Sequence, residues 1–301
     1  MTEHLIFNEE VALAMESGAA IVALETTILS HGMPYPQNVQ TALAVEDIVR
    51  EEGAVPATIA VIGGRIHVGL TREQLEYFGT AKDVLKLSRA DLPFAVAAGK
   101  DGATTVAATM LCAHLAGIGV FATGGVGGVH RGAERTMDVS ADLEELARTP
   151  VAVVCAGAKA LLDLPKTLEV LETRGVPVIG YGTSEFPAFW SRASGLPVAV
   201  RFDTPDEIAG FLRVKRELGI DSGTLVANPI APEDEIPADQ MRGFIESAVA
   251  QSQNEHVTGK AVTPWLLDRL FQLTSGRSLT ANVALVKNNA RLAARIARSA
   301  L

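Results

Sequence analysis

The run Val151-Ala-Val-Val-Cys-Ala-Gly-Ala-Lys159 stays apolar for six residues, passes through two small ones and then meets a lysine. A short run without polar alternation, bounded by a turn residue, reads as a strand buried on both faces, the kind found in parallel sheets covered by helices. A helix is expected next, over 159–173, so the strand delivers Lys159 to a helix start. There the helix N-terminus, with about half a positive charge, and the low dielectric both oppose an ammonium ion. An amine so placed is a candidate covalent catalyst for carbonyl compounds. The alternative is a solvated lysine that opens a surface helix.

Working outward, similar apolar runs recur at Ala20 to Leu24, Thr58 to Ile62, Phe94 to Ala98, Gly119 to Thr123, Val176 to Tyr181, Val198 to Phe202 and Leu225 to Asn228, with amphipathic stretches between them. Alternation of this kind defines an α/β protein. Helix starts are marked by Thr71 with Gln74 three residues on, and by Thr204 followed by Pro205, Asp206 and Glu207. Gly63-Gly64 between Ile59 and Gly69 suits a tight antiparallel hairpin, so the sheet is expected to be mixed but largely parallel. No repeat, linker or long charge block divides the 301 residues, and one layered α/β/α domain is expected over 1–301. A stripe of Val283, Leu285, Val286, Ala290, Leu292, Ala293 and Ile296 marks a final helix over about 278–299, packed on the body or on another subunit.

Composition narrows the function. A net charge of −9 argues against a nucleic-acid partner, since phosphate backbones are held by clustered Lys and Arg. The acidic N-terminus lacks a signal-type core, and no apolar run reaches the ~20 residues of a membrane span, so a cytoplasmic protein with no membrane partner is expected. Cys112 and Cys155 lack metal-ligand spacing and read as buried free thiols of a reducing compartment.

Four further segments fall where α/β folds place function, beyond the C-terminal ends of strands. In Ala23-Leu-Glu-Thr-Thr-Ile-Leu-Ser-His-Gly-Met-Pro34, Glu25 ends a strand and is either an acid/base carboxyl with a raised pKa or a cap. His31 in the same loop is either a substrate contact or structural. The stretch Ala98-Gly-Lys-Asp-Gly-Ala-Thr-Thr-Val106 precedes a helix and offers either an anion site or a plain capped turn, with Lys86 and Arg89 upstream able to close on the same phosphate or to remain solvated. Phe121-Ala-Thr-Gly-Gly-Val-Gly-Gly-Val-His-Arg-Gly132 packs four glycines into five residues, which permits close backbone approach to a ligand but does not fit the dinucleotide fingerprint. Asp138 and Asp142 are either oxygen ligands for a hard divalent ion or caps of a helix near Ala141.

Together these segments resemble the pseudouridine-5'-phosphate glycosidase family, over most of the chain, from Ala23 to Asn288-Asn289. The words that carry the resemblance are Leu24-Glu25 with Ser30-His-Gly-Met-Pro34, Ala97-Ala-Gly-Lys-Asp-Gly-Ala-Thr-Thr-Val106, Phe121 to Glu134, Cys155-Ala-Gly-Ala-Lys159 and Val226-Ala-Asn-Pro229. The resemblance implies reversible cleavage of the carbon–carbon glycosidic bond of pseudouridine 5'-phosphate to uracil and ribose 5-phosphate, a divalent metal, usually Mn²⁺ with Mg²⁺ as substitute, and a homotrimer of α/β/α subunits. Position by position it implies Lys159 as Schiff-base nucleophile, Glu25 as proton donor and Asp138 as the metal-associated carboxylate. Lys86, Thr105, Val106, His130, the run Ser140, Ala141 and Asp142, and Asn282 match substrate-contacting positions. Thr26 replaces a serine common in relatives and keeps the hydroxyl. Two other functions fit the same residues: a Schiff-base lyase or aldolase on another sugar phosphate or C-nucleotide, and a non-catalytic sugar-phosphate-binding module.

Overall fold

A computed structural model describes residues 2–255, 257 and 262–301. Its strands are β1 (Leu5–Phe7), β2 (Ile21–Leu24), β3 (Val55–Ile62), β4 (Arg65–Val68), β5 (Leu85–Leu87), β6 (Gly102–Thr104), β7 (Val120–Ala122), β8 (Ala152–Cys155), β9 (Val178–Tyr181), β10 (Val200–Phe202) and β11 (Thr224–Ala227). Its α-helices are α1 (Glu9–Ser17), α2 (Gln37–Glu51), α3 (Arg72–Thr80), α4 (Leu92–Ala97), α5 (Val106–Leu115), α6 (Ala133–Thr136), α7 (Ala141–Leu146), α8 (Leu164–Thr173), α9 (Pro205–Glu217), α10 (Ala238–Asn254), α11 (Val262–Leu273) and α12 (Arg277–Ser299).

The strands form one mixed sheet in the order β1-β4-β3-β2-β7-β8-β11-β9-β10, with β6 branching from β3 and carrying β5. Pairing is parallel except for β3 with β4 and β3 with β6. The expected hairpin joins β3 to β4, and Gly63 and Gly64 supply φ values of 55° and 76°, which a side chain would strain. The central strands β7, β8 and β11 are buried along their whole length, which is why their sequences read as continuous apolar runs.

Helices cover both sides of the sheet. On one, α12 lies between α2 and α9 and packs on β2, β7 and β8; α5 lies beside α7 and packs on β2, β3 and β7. Leu285, Ala290, Ala293 and Ile296 of α12 are fully buried, so its apolar stripe is spent on the body. Fully burying a side chain such as Leu285 contributes roughly 1.5–3 kcal/mol, enough to decide the register of the helix. Capping boxes open α3 at Thr71 and α9 at Thr204, as their sequences predict.

Two expectations are corrected. The run Phe94 to Ala98 is not a strand: Leu92–Ala97 forms α4, entered through Pro93, and Phe94 is exposed. Five apolar residues without a clear period fit either element, and the proline at the first turn decides for helix. Lys159 does not open a helix either, because α8 begins at Leu164, capped by the Asp163 carboxylate, which accepts from the Lys166 amide at 3.1 Å.

The chain leaves β2 toward β3 on one side and leaves β7 toward β8 on the other, so the crevice between β2 and β7 is a topological switch point. Open α/β sheets bind ligands outside the carboxyl ends of strands at such a crevice. Glu25 follows β2 and Thr123 follows β7, so both stand at its rim.

Candidate active site

A cavity of about 290 Å³ opens at this crevice, and every residue singled out by the resemblance lines it. Glu25 and Thr123 come from the ends of β2 and β7, Lys86 from β5, Thr105 and Val106 from the start of α5, and Lys159 from the segment after β8. His130, Asp138, Ser140, Ala141 and Asp142 come from the loops around α6 and α7, and Asn282 from α12.

The loop carrying Glu25 is tied down by its threonines. The buried Thr26 hydroxyl donates to the Ile59 carbonyl at 2.8 Å and accepts from the Thr104 amide at 2.8 Å. Thr27 donates to the Thr104 carbonyl at 2.7 Å. Thr26 therefore works through its hydroxyl. Glu25 itself accepts a hydrogen bond from Thr123 Oγ1. Its carboxyl is held above the ordinary pKa, chiefly by burial, against the opposing effects of Lys159 and of the Thr123 hydroxyl. Its carboxyl bonds to Thr123 across the crevice and caps no helix.

Lys159 is placed by backbone pairing beyond the strand ends. The glycine-rich loop runs parallel to the lysine segment through a Val126–Ala158 bridge. Its carbonyl groups accept from the segment: Gly124 from the Ala156 amide at 2.9 Å and Val126 from the Lys159 amide at 3.1 Å. The glycines serve this approach between protein segments. A Cβ on Gly127 would lie 2.2 Å from Ser140 Oγ, and one on Gly125 would lie 2.6 Å from the Phe189 ring. The close contact expected with a ligand is therefore made, at these positions, with protein. The helix-dipole reason for a reactive Lys159 fails with the helix start, and what remains is its place beside Glu25 in the cavity.

The start of α5, where either an anion site or a capped turn is expected, carries a cap and reaches the cavity at Thr105 and Val106. Residues 102–104 pair as β6, the Ala108 amide donates to Thr105 Oγ1 at 3.4 Å, and the Ala107 amide donates to Asp142 Oδ1 at 3.0 Å. The other Asp142 oxygen accepts from the Gly127 amide at 2.8 Å, so this carboxylate fastens the glycine-rich loop to α5. It does not cap α7, where Ser140 does so. Arg89 is likewise committed: its guanidinium forms two 2.7 Å bonds to the buried Glu145, outside the cavity lining.

Asp138 is partly exposed and lies 4.0 Å from His130 Nδ1. Burial, reinforced by Lys159 and opposed by Asp138, lowers the His130 pKa. Among the described residues no group of three or more His, Cys, Asp or Glu side chains is arranged to hold a metal. Zinc, which takes three or four protein ligands, does not fit this donor set. A hard ion that keeps most of its waters needs only one or two carboxylates and substrate oxygens, and Asp138 is the carboxylate that would hold it.

Sequence reasoning did not single out Thr123 and Phe189 in the cavity wall or Asn289 behind it. Asn289 is fully buried behind the site; its Nδ2 donates to the Thr123 carbonyl at 2.8 Å and its Oδ1 accepts from Asn228 at 3.0 Å. Phe189 sits in the left-handed region at φ 60° with its ring edge-on to Trp190, a strained placement of the kind that clusters at functional sites. An asparagine inside an apolar helical stripe was a legible signal; the Phe189 conformation was not.

Cys112 and Cys155 are free and buried, and burial pushes both thiols up to about 12, so neither serves as a nucleophile.

Fold and site together define an α/β protein with an amine and a half-buried carboxyl of raised pKa in one sheet-end pocket. Residues 10–299 match the family model described as indigoidine synthase A like protein. The chain is 65% identical to the pseudouridine-5'-phosphate glycosidase of Methylobacterium nodulans, over 97% of this chain and 87% of that one. It is 63% identical to the protein of the same name from Solibacter usitatus, over 98% of each. Among solved structures, the prealnumycin C-glycosynthase AlnA in complex with ribulose 5-phosphate aligns with a TM-score of 0.91 at 37% identity, covering 99% of this chain and 97% of that one. The chain belongs to the indigoidine synthase A like family, the family of the pseudouridine-5'-phosphate glycosidases.

Proposed function

We propose that this protein reversibly cleaves the carbon–carbon glycosidic bond of pseudouridine 5'-phosphate, giving uracil and ribose 5-phosphate, with Lys159 as nucleophile and Glu25 as proton donor. The observation that carries the reading is the meeting of Lys159 with a carboxyl of raised pKa in one cavity, in a chain 65% identical to a protein of that name. A C-glycoside has no leaving-group oxygen or nitrogen to protonate, so the two-carboxylate route of ordinary glycosidases does not serve. In the proposed sequence Glu25 protonates the ring oxygen as the ribose opens, and the Lys159 amine bonds to C1'. Protonation of uracil C5 breaks the C1'–C5 bond and leaves an iminium between Lys159 and C1'. Water hydrolyses that iminium, returning the amine and releasing ribose 5-phosphate.

Lys86 is the proposed phosphate contact, with Thr105, Val106, Ser140, Ala141, Asp142, His130 and Asn282 shaping the rest of the substrate site. Binding energy from the non-reacting phosphate then orients C1' toward the amine. A divalent ion, Mn²⁺ or Mg²⁺, held by Asp138 would supply positive charge to substrate oxygens. A homotrimer in the cytoplasm completes the proposal. The test is to incubate the protein with uracil, ribose 5-phosphate and Mn²⁺ beside Lys159→Ala. Pseudouridine 5'-phosphate from the wild type alone supports the reading, and none from folded wild type refutes it. A Schiff-base reaction on another sugar phosphate is the second reading, favoured by the AlnA complex, and a different base or sugar product would establish it.

A further inference from the structure

We propose that Phe189 is a positioning residue of this site, pinning the Lys159 segment to the glycine-rich loop and so fixing the amine relative to Glu25. The inference rests on Lys159 and Glu25 acting together, as proposed above. Beyond the ends of β7 and β8 the glycine-rich loop and the lysine segment pair side by side, and a third stretch, between β9 and β10, closes on the lysine segment through a Gly157–Ala188 bridge. Phe189 joins all three. Its amide donates to the Ala156 carbonyl at 3.0 Å, and its ring lies against Gly125, where a Cβ would come within 2.6 Å of it. Gly125 stands two residues after Thr123, whose hydroxyl bonds to Glu25, and Ala156 stands three residues before Lys159. One side chain therefore spans the short path from the acid to the amine.

The pin is itself held. Trp190, edge-on to Phe189, donates through Nε1 to the Ser278 carbonyl of α12 at 3.0 Å, and its own carbonyl accepts from the Ile236 amide at 2.9 Å. The Ser191 hydroxyl donates to the Ile236 carbonyl at 2.7 Å. Surroundings of this kind are what keep a phenylalanine at φ 60°, a conformation that costs energy in any residue but glycine. Glycine would adopt this backbone freely, and what it would lack is the ring. The lysine segment is shaped to receive the same stretch: a Cβ on Gly157 would meet the Pro187 carbonyl at 2.3 Å. Phe189 lies in the cavity wall with almost no exposed surface, so it acts through the groups it holds and not through a ligand. Attack by an amine depends on its placement, and a displacement of about 1 Å costs up to about 10²-fold in rate. Lys86 comes from β5, outside the three segments that Phe189 joins, so anchoring of the phosphate is expected to survive loss of the ring.

The test compares wild type, Phe189→Gly and Phe189→Leu. Glycine keeps the left-handed backbone and the amide but lacks the ring; leucine restores apolar bulk over Gly125. In the synthetic direction the expected result is a kcat about 10²-fold lower in folded Phe189→Gly, with KM for ribose 5-phosphate held, and partial recovery in Phe189→Leu. Trace acetylation followed by peptide mass spectrometry reads the amines directly: the rate at Lys159 relative to Lys86 is expected to change in Phe189→Gly and to return toward the wild-type ratio in Phe189→Leu. A wild-type kcat in Phe189→Gly overturns the proposal, as does a loss that impairs KM equally or alters both amines alike, which marks a general structural role. If Phe189→Gly does not fold, Phe189→Leu decides by the same two readouts, and a wild-type kcat and acetylation ratio there overturn the proposal. Should the wild type make no pseudouridine 5'-phosphate, the functional reading fails separately. The acetylation ratio then decides for Phe189, and an unchanged ratio in the variants overturns its positioning role.

Discussion

Glu25 and Thr123 face each other across the crevice where the connections of the sheet diverge, and their hydrogen bond has a directional consequence. That bond and Lys159 lower a carboxyl pKa that burial raises more strongly. Thr123→Val removes one lowering effect at nearly constant shape, so the alkaline limb of kcat/KM, read as loss of the Glu25 proton, is expected to move to higher pH; movement to lower pH would contradict the assignment. Glu25→Gln is expected to reduce kcat by about 10²–10⁴-fold, measured in the cleavage direction. Its effect on stability has the opposite sense. Because the folded pKa of Glu25 lies above the unfolded one, its contribution to stability is complete below about pH 4.5 and is lost as pH rises through the folded value. Thermal unfolding at pH 5 and pH 8 should therefore show Glu25→Gln gaining on wild type at the higher pH. Glu25 and Lys159 were singled out in the sequence by their places beyond the ends of apolar strands, and the fold brings both to one cavity. Thr123 was not, since a hydroxyl after a strand serves many purposes and only the fold brings β7 beside β2.

Secondary structure followed the sequence wherever burial and chemistry agreed. β8 and α12 were legible from continuous and helical apolar patterns, and α3 and α9 from their capping boxes. α4 was not, because six residues of mixed exposure carry no period. The true start of α8 was written as Asp163-Leu-Pro165, a cap followed by a first-turn proline, but the lysine five residues before Leu164 drew the boundary too early. What the elements do for the site is tested at Asn289, which joins α12 to the loop after β7 and to Asn228 after β11. Asn289→Ala leaves the Thr123 carbonyl and the Asn228 amide without these partners in a fully buried place. The expected cost is about 2–4 kcal/mol in denaturant unfolding, with kcat reduced because the Thr123 end of the crevice loosens. Wild-type stability in this variant would show that α12 is not needed to hold the loop.

At the scale of the whole molecule, the sheet gathers β2, β5, β7 and β8 so that residues spread over most of the chain converge on one cavity. That convergence was legible only as a resemblance, since no local pattern states that Lys86, Lys159 and Asn282 meet. Two whole-molecule properties are predicted from the proposal. Light scattering should give a particle of three times the 31.7 kDa chain. Chelation of divalent ions should lower turnover, Mn²⁺ should restore it, and Asp138→Asn should need more than about tenfold more Mn²⁺ for the same recovery. Among the described residues no helix is long and apolar enough to cross a membrane. The central claim, a covalent bond between Lys159 and C1' of the sugar, is most directly tested by mixing the protein with ribose 5-phosphate, reducing with borohydride and locating the adduct by peptide mass spectrometry. A reduced sugar phosphate on the peptide containing Lys159, absent from Lys159→Ala, is the predicted result; an active enzyme that yields no adduct, or one on another lysine such as Lys86, would contradict the account.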